Sequence, residues 1–234
     1  MGKYEVILID ADDTLFDFGK AEAHALQSVL REIGVDLEAD GDGPESYTGR
    51  YLAINAQLWK DLEAGLVTTS QLRQERFRRL LDGDTKIALH PDAVSNRYLE
   101  LLGEGAFLLE GAAALCKELA AKARVAVVTN GIKDVQINRI ARSGLADCFE
   151  QVIVSEDTGF QKPQTGIFDH TFGKLGIRDK HNVLMVGDSL TSDIKGGNNY
   201  GIDTCWYNPS GKPNTTDIRP TYEIRSYTEL LALL

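Results

Sequence analysis

Cysteine is scarce in this chain, and the three present, Cys116, Cys148 and Cys205, are odd in number and far apart. That excludes a disulfide framework and a cysteine-based zinc site, leaving buried, reduced thiols as the expectation. Basic residues are in deficit: 25 Lys and Arg stand against 35 Asp and Glu, for a net charge of −10. A protein that grips a nucleic-acid backbone needs clustered cations, so no polynucleotide partner is expected. No apolar run is long enough to cross a bilayer. The N-terminus lacks the basic and apolar regions of a signal peptide and the Ser or Thr of a myristoylation site. The expectation is a cytoplasmic protein with no membrane partner. Repeats and low-complexity tracts are missing too, and His24, His90, His170 and His181 share no metal-ligand spacing.

What is present begins with ordinary globular composition, 43% hydrophobic and 26% charged over 234 residues. That length supports one large domain or a domain with a substantial insertion. Short apolar runs at Val6–Ile9, Arg124–Val128, Gln151–Val154 and Asn182–Val186 read as strands, with a last one near Thr204–Tyr207. Buried parallel strands show as such runs, without alternation. Helices are predicted around Leu115–Leu119, over Lys133–Ser143 and Gln164–Leu175, after Ser189, and over Ser226–Leu234.

After the first strand this α/β rhythm lapses for about ninety residues, far more than a crossover requires. Gly19–Gly34 carries a helical face of Leu26, Val29, Leu30 and Ile33, and Tyr47–Ala64 one of Tyr51, Ile54, Leu58 and Leu62. Thr68 and Gln71 form a capping box for Gln71–Leu81, and Pro91 opens a further helix. The expected division is an α/β core of residues 1–16 and 106–234 and a helical cap of residues 17–105, placed as a lid over a cleft.

Polar groups follow each strand-like run. Asp10, Asp12 and Asp13 come after the first, Thr129-Asn130-Gly131 after the second, Lys162-Pro163 after the third, and Asp188 and Asp193 after the fourth. Open α/β sheets gather their active-site groups beyond the carboxyl ends of their strands. The set suits phosphoryl transfer to a carboxylate. Asp10 is the candidate nucleophile. Asp12, two residues on, shares its face in an extended segment and suits general acid and base duty. Two carboxylates this close favour a shared metal, and Mg²⁺ takes hard oxygen ligands. Asp10, the backbone carbonyl of Asp12, and Asp188 are the candidate ligands. Thr129 and the backbone N–H of Asn130 are the candidate phosphate donors, and Lys162 supplies a charge to the transition state. Asp193 is expected behind the site, orienting Lys162 or a metal-bound water. Each dipeptide alone is an ordinary turn or helix cap; four in order after four strands are specific.

Those stretches, Asp10-Ala-Asp-Asp-Thr-Leu-Phe-Asp17, Val128-Thr-Asn-Gly131, Gly159-Phe-Gln-Lys-Pro163 and Gly187-Asp-Ser-Leu-Thr-Ser-Asp193, resemble the four motifs of the haloacid dehalogenase superfamily across nearly the whole chain. The resemblance implies a Rossmann-like parallel-sheet core with an inserted α-helical cap, and a Mg²⁺-dependent phosphatase working through an aspartyl phosphate. The dehalogenase branch lacks the second aspartate of the first motif, so Asp12 points to a phosphatase. More narrowly, Asn55-Ala-Gln-Leu-Trp59, the Gly65–Gln71 turn with Arg76-Phe77, and Gly197–Asn208 resemble the house-cleaning pyrimidine 5′-nucleotidases. Carried over, Asn55, Trp59 and Arg76 become cap residues facing a nucleoside. The structural alternative makes Trp59 cap core and Arg76 a solvated face.

The implied partner is a small phosphorylated substrate, a nucleoside 5′-monophosphate first, acted on by a monomer or weak homodimer. Two alternatives stand beside this 5′-nucleotidase reading. One is a sugar-phosphate or phosphoglycolate phosphatase or a phosphoglucomutase relative. The other is a noncatalytic protein that binds phosphorylated ligands.

Overall fold

Six parallel strands make one sheet in the order β3-β2-β1-β4-β5-β6. They are β1 (Val6–Ile9), β2 (Arg124–Thr129), β3 (Gln151–Val154), β4 (Val183–Gly187), β5 (Asp203–Tyr207) and β6 (Tyr222–Ile224). The computed structural model describes residues 3–85 and 87–234, apart from the side chain of Glu63. β1 is central: Ile9 registers with Val127 of β2 on one side and with Val186 of β4 on the other. The sixth strand lies beyond the last one read from the sequence.

Period-two alternation explains why the buried stretches of β1, β2 and β4 are apolar without interruption. Ile7, Ile9, Val125, Val127, Leu184 and Val186 enter one core cluster, while Val6, Leu8, Ala126, Val128, Val183 and Met185 enter another. Alternate residues of a strand point to opposite faces, so each face has its own core and no position is left for a polar residue.

The chain forms two compact units, Met1–Phe18 with Ala106–Leu234, and Gly19–Gly105. The second unit is helical, built from α1 (Phe18–Glu32), α2 (Leu37–Asp40), α3 (Tyr47–Glu63), α4 (Thr69–Leu80) and α5 (Pro91–Glu104). Helix α4 starts at the capping box: the Thr68 hydroxyl accepts from Gln71 N while the Gln71 side chain accepts from Thr68 N at 2.8 Å. The unit is held by Leu58, Leu62 and Leu72 and by a triad of Tyr51, Phe77 and Tyr98, whose ring centroids lie 5.3 to 5.5 Å apart.

The first unit adds α6 (Ala112–Lys122), α7 (Lys133–Ser143), α8 (Ser155–Thr158), α9 (Thr165–Leu175), α10 (Lys195–Tyr200) and α11 (Tyr227–Leu231). Leu115 and Leu119 of α6 and Leu230 of α11 join the Ile7 face, and Ile167, Phe168 and Phe172 of α9 join the Leu8 face. A π-helical turn, Leu190–Ile194, connects β4 to α10. All three cysteines are free thiols; Cys116 and Cys205 are buried, and burial pushes both up to about 12. Among the described residues no helix is long and apolar enough to cross a membrane.

Candidate active site

The sheet order turns back at β1 and β4, which are neighbours although the chain leaves them in opposite directions across the sheet. Ligand sites in open α/β sheets form at such switch points. Asp10 follows β1 there, with its backbone N–H donating to Val186 O at 2.9 Å, and Asp188 follows β4. Beyond Asp10 the chain folds into a tight loop in which the Ala11 carbonyl accepts from Leu15 N and Phe16 N. Asp13 adopts a left-handed φ of 57°, which aspartate tolerates better than most residues, and its carboxylate accepts from Phe18 N at 3.2 Å at the start of α1.

Lys162 is the hub. Its side chain is 1% exposed, and its ammonium donates to Asp10 Oδ1 at 2.5 Å, Asp193 Oδ1 at 2.6 Å and the Val128 carbonyl at 2.6 Å. An ammonium has three hydrogens, so all three are used. The lysine is brought in by Asn130, whose side chain makes two bonds to one residue's backbone: Nδ2 donates to Lys162 O and Oδ1 accepts from Lys162 N, each at 2.8 Å. Sequence reasoning assigned Asn130 only a backbone donor. Thr129, 1% exposed at the end of β2, accepts from Gly131 N at 3.1 Å through its hydroxyl oxygen.

Carboxylate oxygens of Asp10, Asp188 and Asp193 lie within 4.8 Å of one another. Asp193, expected behind the site, therefore has its carboxylate in the cluster itself. The π-helical turn puts it there, with Ser189 N donating to Asp193 Oδ2 at 3.1 Å. Gly187 is required beside it, because a Cβ at that position would stand 2.2 Å from Asp193 Oδ2. Three carboxylates share one lysine, so negative charge is in excess in a buried place. Burial pushes Asp10 well above the ordinary carboxylate range; Lys162 opposes the shift, and Asp193 and Asp188 add to it. Asp188 is pushed up to about 7 by burial, then by Asp193 and Asp13. Burial works against the Lys162 ammonium, but Asp10 and Asp193 outweigh it and hold the amine protonated. Buried oxygen donors with surplus negative charge fit a hard divalent cation such as Mg²⁺.

The Asp12 carboxylate is not among those three. Its Oδ2 accepts from Gln136 Nε2 at 2.6 Å and its Oδ1 from Arg139 Nη1, both on α7. Sequence reasoning missed both partners. The one signal was local: Gln136 and Arg139 interrupt the buried stripe of Val135 and Ile140. A cleft of about 890 Å³ opens from Asp13 and Asp188 past Trp206 and Asn208 to Lys212 and Arg225.

Asn55, Trp59 and Arg76 belong to the helical unit. Asn55 is 5% exposed and donates through Nδ2 to Glu22 Oε1 at 2.8 Å. Arg76 is 1% exposed, with its guanidinium 4.7 Å from the centroid of the Tyr98 ring, so it is not a solvated face. Stacking of the planar cation on the aromatic face explains how a charge is tolerated there. Trp59 is half-buried against Leu58, Leu62 and Leu72.

Comparison with known proteins bears on this geometry. The haloacid dehalogenase-like hydrolase family matches residues 4–201. The chain is 39% identical to the HAD-hydrolase YfnB of Bacillus subtilis, over 100% of this chain and 97% of that protein. It is 40% identical to the pyrimidine 5′-nucleotidase PynA of Streptococcus pneumoniae, over 99% and 95% of the two chains. Identity to the pyrimidine 5′-nucleotidase YjjG of Escherichia coli is 34%, over 99% and 98%. The crystal structure of YfnB bound to magnesium matches with a TM-score of 0.87 at 38% identity, covering 99% of this chain and 98% of that one.

Proposed function

The chain belongs to the haloacid dehalogenase-like hydrolases, and from that premise we propose that it is a Mg²⁺-dependent phosphatase hydrolysing nucleoside 5′-monophosphates, pyrimidine ones first, through an aspartyl phosphate on Asp10. The observation that carries this reading is the position of Asp10 at the switch point, 7% exposed, paired with Lys162 and clustered with Asp188 and Asp193. Similarity to two pyrimidine 5′-nucleotidases over nearly the full chain supports the substrate class.

In the first half-reaction an Asp10 oxygen forms a bond to phosphorus as the bond from phosphorus to the ester oxygen breaks. The departing oxygen takes a proton from Asp12. In the second, Asp12 accepts a proton from water as the water oxygen attacks phosphorus. Inorganic phosphate leaves, and the Asp10 carboxylate is restored. Lys162 holds Asp10 in line, and Thr129 with the Asn130 backbone N–H binds phosphoryl oxygens, so charge in the transition state meets fixed donors. Asp10, Asp188 and the Asp12 carbonyl would hold Mg²⁺, with Asp193 adjoining. When bound, the ion supplies the positive charge that lets a dianionic phosphate approach three carboxylates. Of the cap residues Asn55, Trp59 and Arg76, half-buried Trp59 has aromatic surface to offer a base.

Phosphate release from dUMP, UMP, dTMP, sugar phosphates and phosphoglycolate tests the reading. Pyrimidine nucleotides are expected to lead, and Asp10→Asn to lower turnover by at least ~10³-fold. Equal slow rates on every compound would refute the nucleotide assignment. Undiminished Asp10→Asn activity would refute the nucleophile.

A further inference from the structure

The side chain assigned the proton transfers is held entirely by one helix. Gln136 Nε2 reaches one Asp12 oxygen at 2.6 Å and Arg139 Nη1 reaches the other. Gln136 and Arg139 stand three residues apart on α7, so they share a face and approach the carboxylate together. Both are buried, Arg139 at 0% and Gln136 at 1% exposure. The surroundings are fitted to them. The Arg139 guanidinium lies 4.6 Å from the centroid of the Phe16 ring, within the same loop as Asp12. A Cβ on Gly131 would stand 2.2 Å from Gln136 Nε2, so the glycine leaves the space the amide occupies. Gln136 Oε1 is buried with no hydrogen-bond partner among the described residues. An apolar side chain would spare the fold that orphaned oxygen, so the amide is retained for what its donors do. Those donors, with the guanidinium, fix the rotation of a carboxylate that otherwise projects freely from a loop.

We infer that Gln136 and Arg139 are positioning residues for proton transfer: they aim Asp12 at the ester oxygen and take no part in the attack by Asp10. The inference rests on the phosphatase reading. In the step concerned, the phosphorus–ester bond breaks as Asp10 bonds to phosphorus, and the electron pair left on the ester oxygen takes the Asp12 proton. A nucleoside alkoxide needs that proton as it leaves. p-Nitrophenolate does not.

The test measures kcat/KM with Mg²⁺ on UMP and on p-nitrophenyl phosphate. This quantity extends only to departure of the leaving group, so the later hydrolysis of the aspartyl phosphate does not enter. Gln136→Leu and Arg139→Lys are expected to lose about 10–100-fold on UMP and no more than about 3-fold on p-nitrophenyl phosphate, within the ~10²–10⁴-fold range of general acid catalysis. Asp12→Asn is expected to show the same selectivity. Adding Gln136→Leu to Asp12→Asn is expected to lower the UMP value no further, because one function is lost only once. Equal losses on the two substrates, or additive losses in the double variant, overturn the inference. If Arg139→Lys does not fold, judged by circular dichroism, Gln136→Leu decides alone, since leucine fills the volume and removes the orphaned oxygen. Intact activity of Asp10→Asn on both substrates would instead sink the phosphatase reading.

Discussion

Replacing Lys162 by methionine tests the electrostatic balance of the site more directly than any activity measurement. Methionine keeps most of the volume, so packing is nearly conserved. What is lost is the cation that pairs with both Asp10 and Asp193 in a place 1% exposed at the lysine. Removing one partner of a buried ion pair costs ~3–5 kcal/mol, because the remaining charge is stranded. The effect should depend on pH with a definite sign. Asp10 is already pushed up by burial and by its acidic neighbours, and Lys162 is the group working against that. Without the lysine, the folded state binds a proton at Asp10 more tightly than the unfolded state does, so the variant gains stability as pH falls. Urea denaturation without divalent metal, at pH 8 and at pH 5.5, gives the measurement. The deficit relative to wild type should be several kcal/mol at pH 8 and smaller by at least ~1 kcal/mol at pH 5.5. A deficit below ~1 kcal/mol at pH 8, or one that grows on acidification, would show that the ammonium does not hold the cluster together.

Two further outcomes follow from the same cluster. Gly187→Ala drives a methyl group to 2.2 Å from Asp193 Oδ2, so thermal unfolding should show a loss of about 1–3 kcal/mol. A magnesium titration of its activity should show affinity weakened by ~10-fold. Asp188, at about 7 when folded against the ordinary 3.8, binds protons more tightly in the native state, so its contribution is present in acid and lost as pH rises through about 7. At ~1.4 kcal/mol for each tenfold change in proton affinity, the loss is at most about 4 kcal/mol. In chelator, the melting temperature of wild type relative to Asp188→Asn should therefore fall between pH 4 and pH 7, and Mg²⁺ should restore it. A difference that stays flat across that range would count against burial of the Asp188 charge.

The sheet was legible where the strands are buried on both faces, because nothing but apolar residues fits there: β1, β2, β3 and β4 stand within a residue of the runs read from the sequence. Local signals also carried through, as at Thr68 and Gln71, whose reciprocal bonds need no tertiary partner. Elements with little signal of their own were missed. β6 has three residues, and α2 and α8 have four each. The same divide runs through the site. Asp10, Thr129, Lys162 and Asp188 were visible because each follows a strand-like run. Gln136 and Arg139 were not, being 124 and 127 residues from the carboxylate they hold. Arg76 shows the same divide: the sequence gives a charged residue on a helix but not the ring beneath it, Tyr98.

The double bond pattern between Asn130 and the Lys162 backbone has a consequence for how this enzyme tolerates change. An amide that offers one donor and one acceptor to a distant peptide imitates a rung of sheet hydrogen bonding, so the lysine segment is docked as though it were a fragment of an additional strand. The amine's location is then set by that attachment and not by the route the chain takes from β3. A change at Asn130 therefore displaces the ammonium even where Lys162 itself is intact.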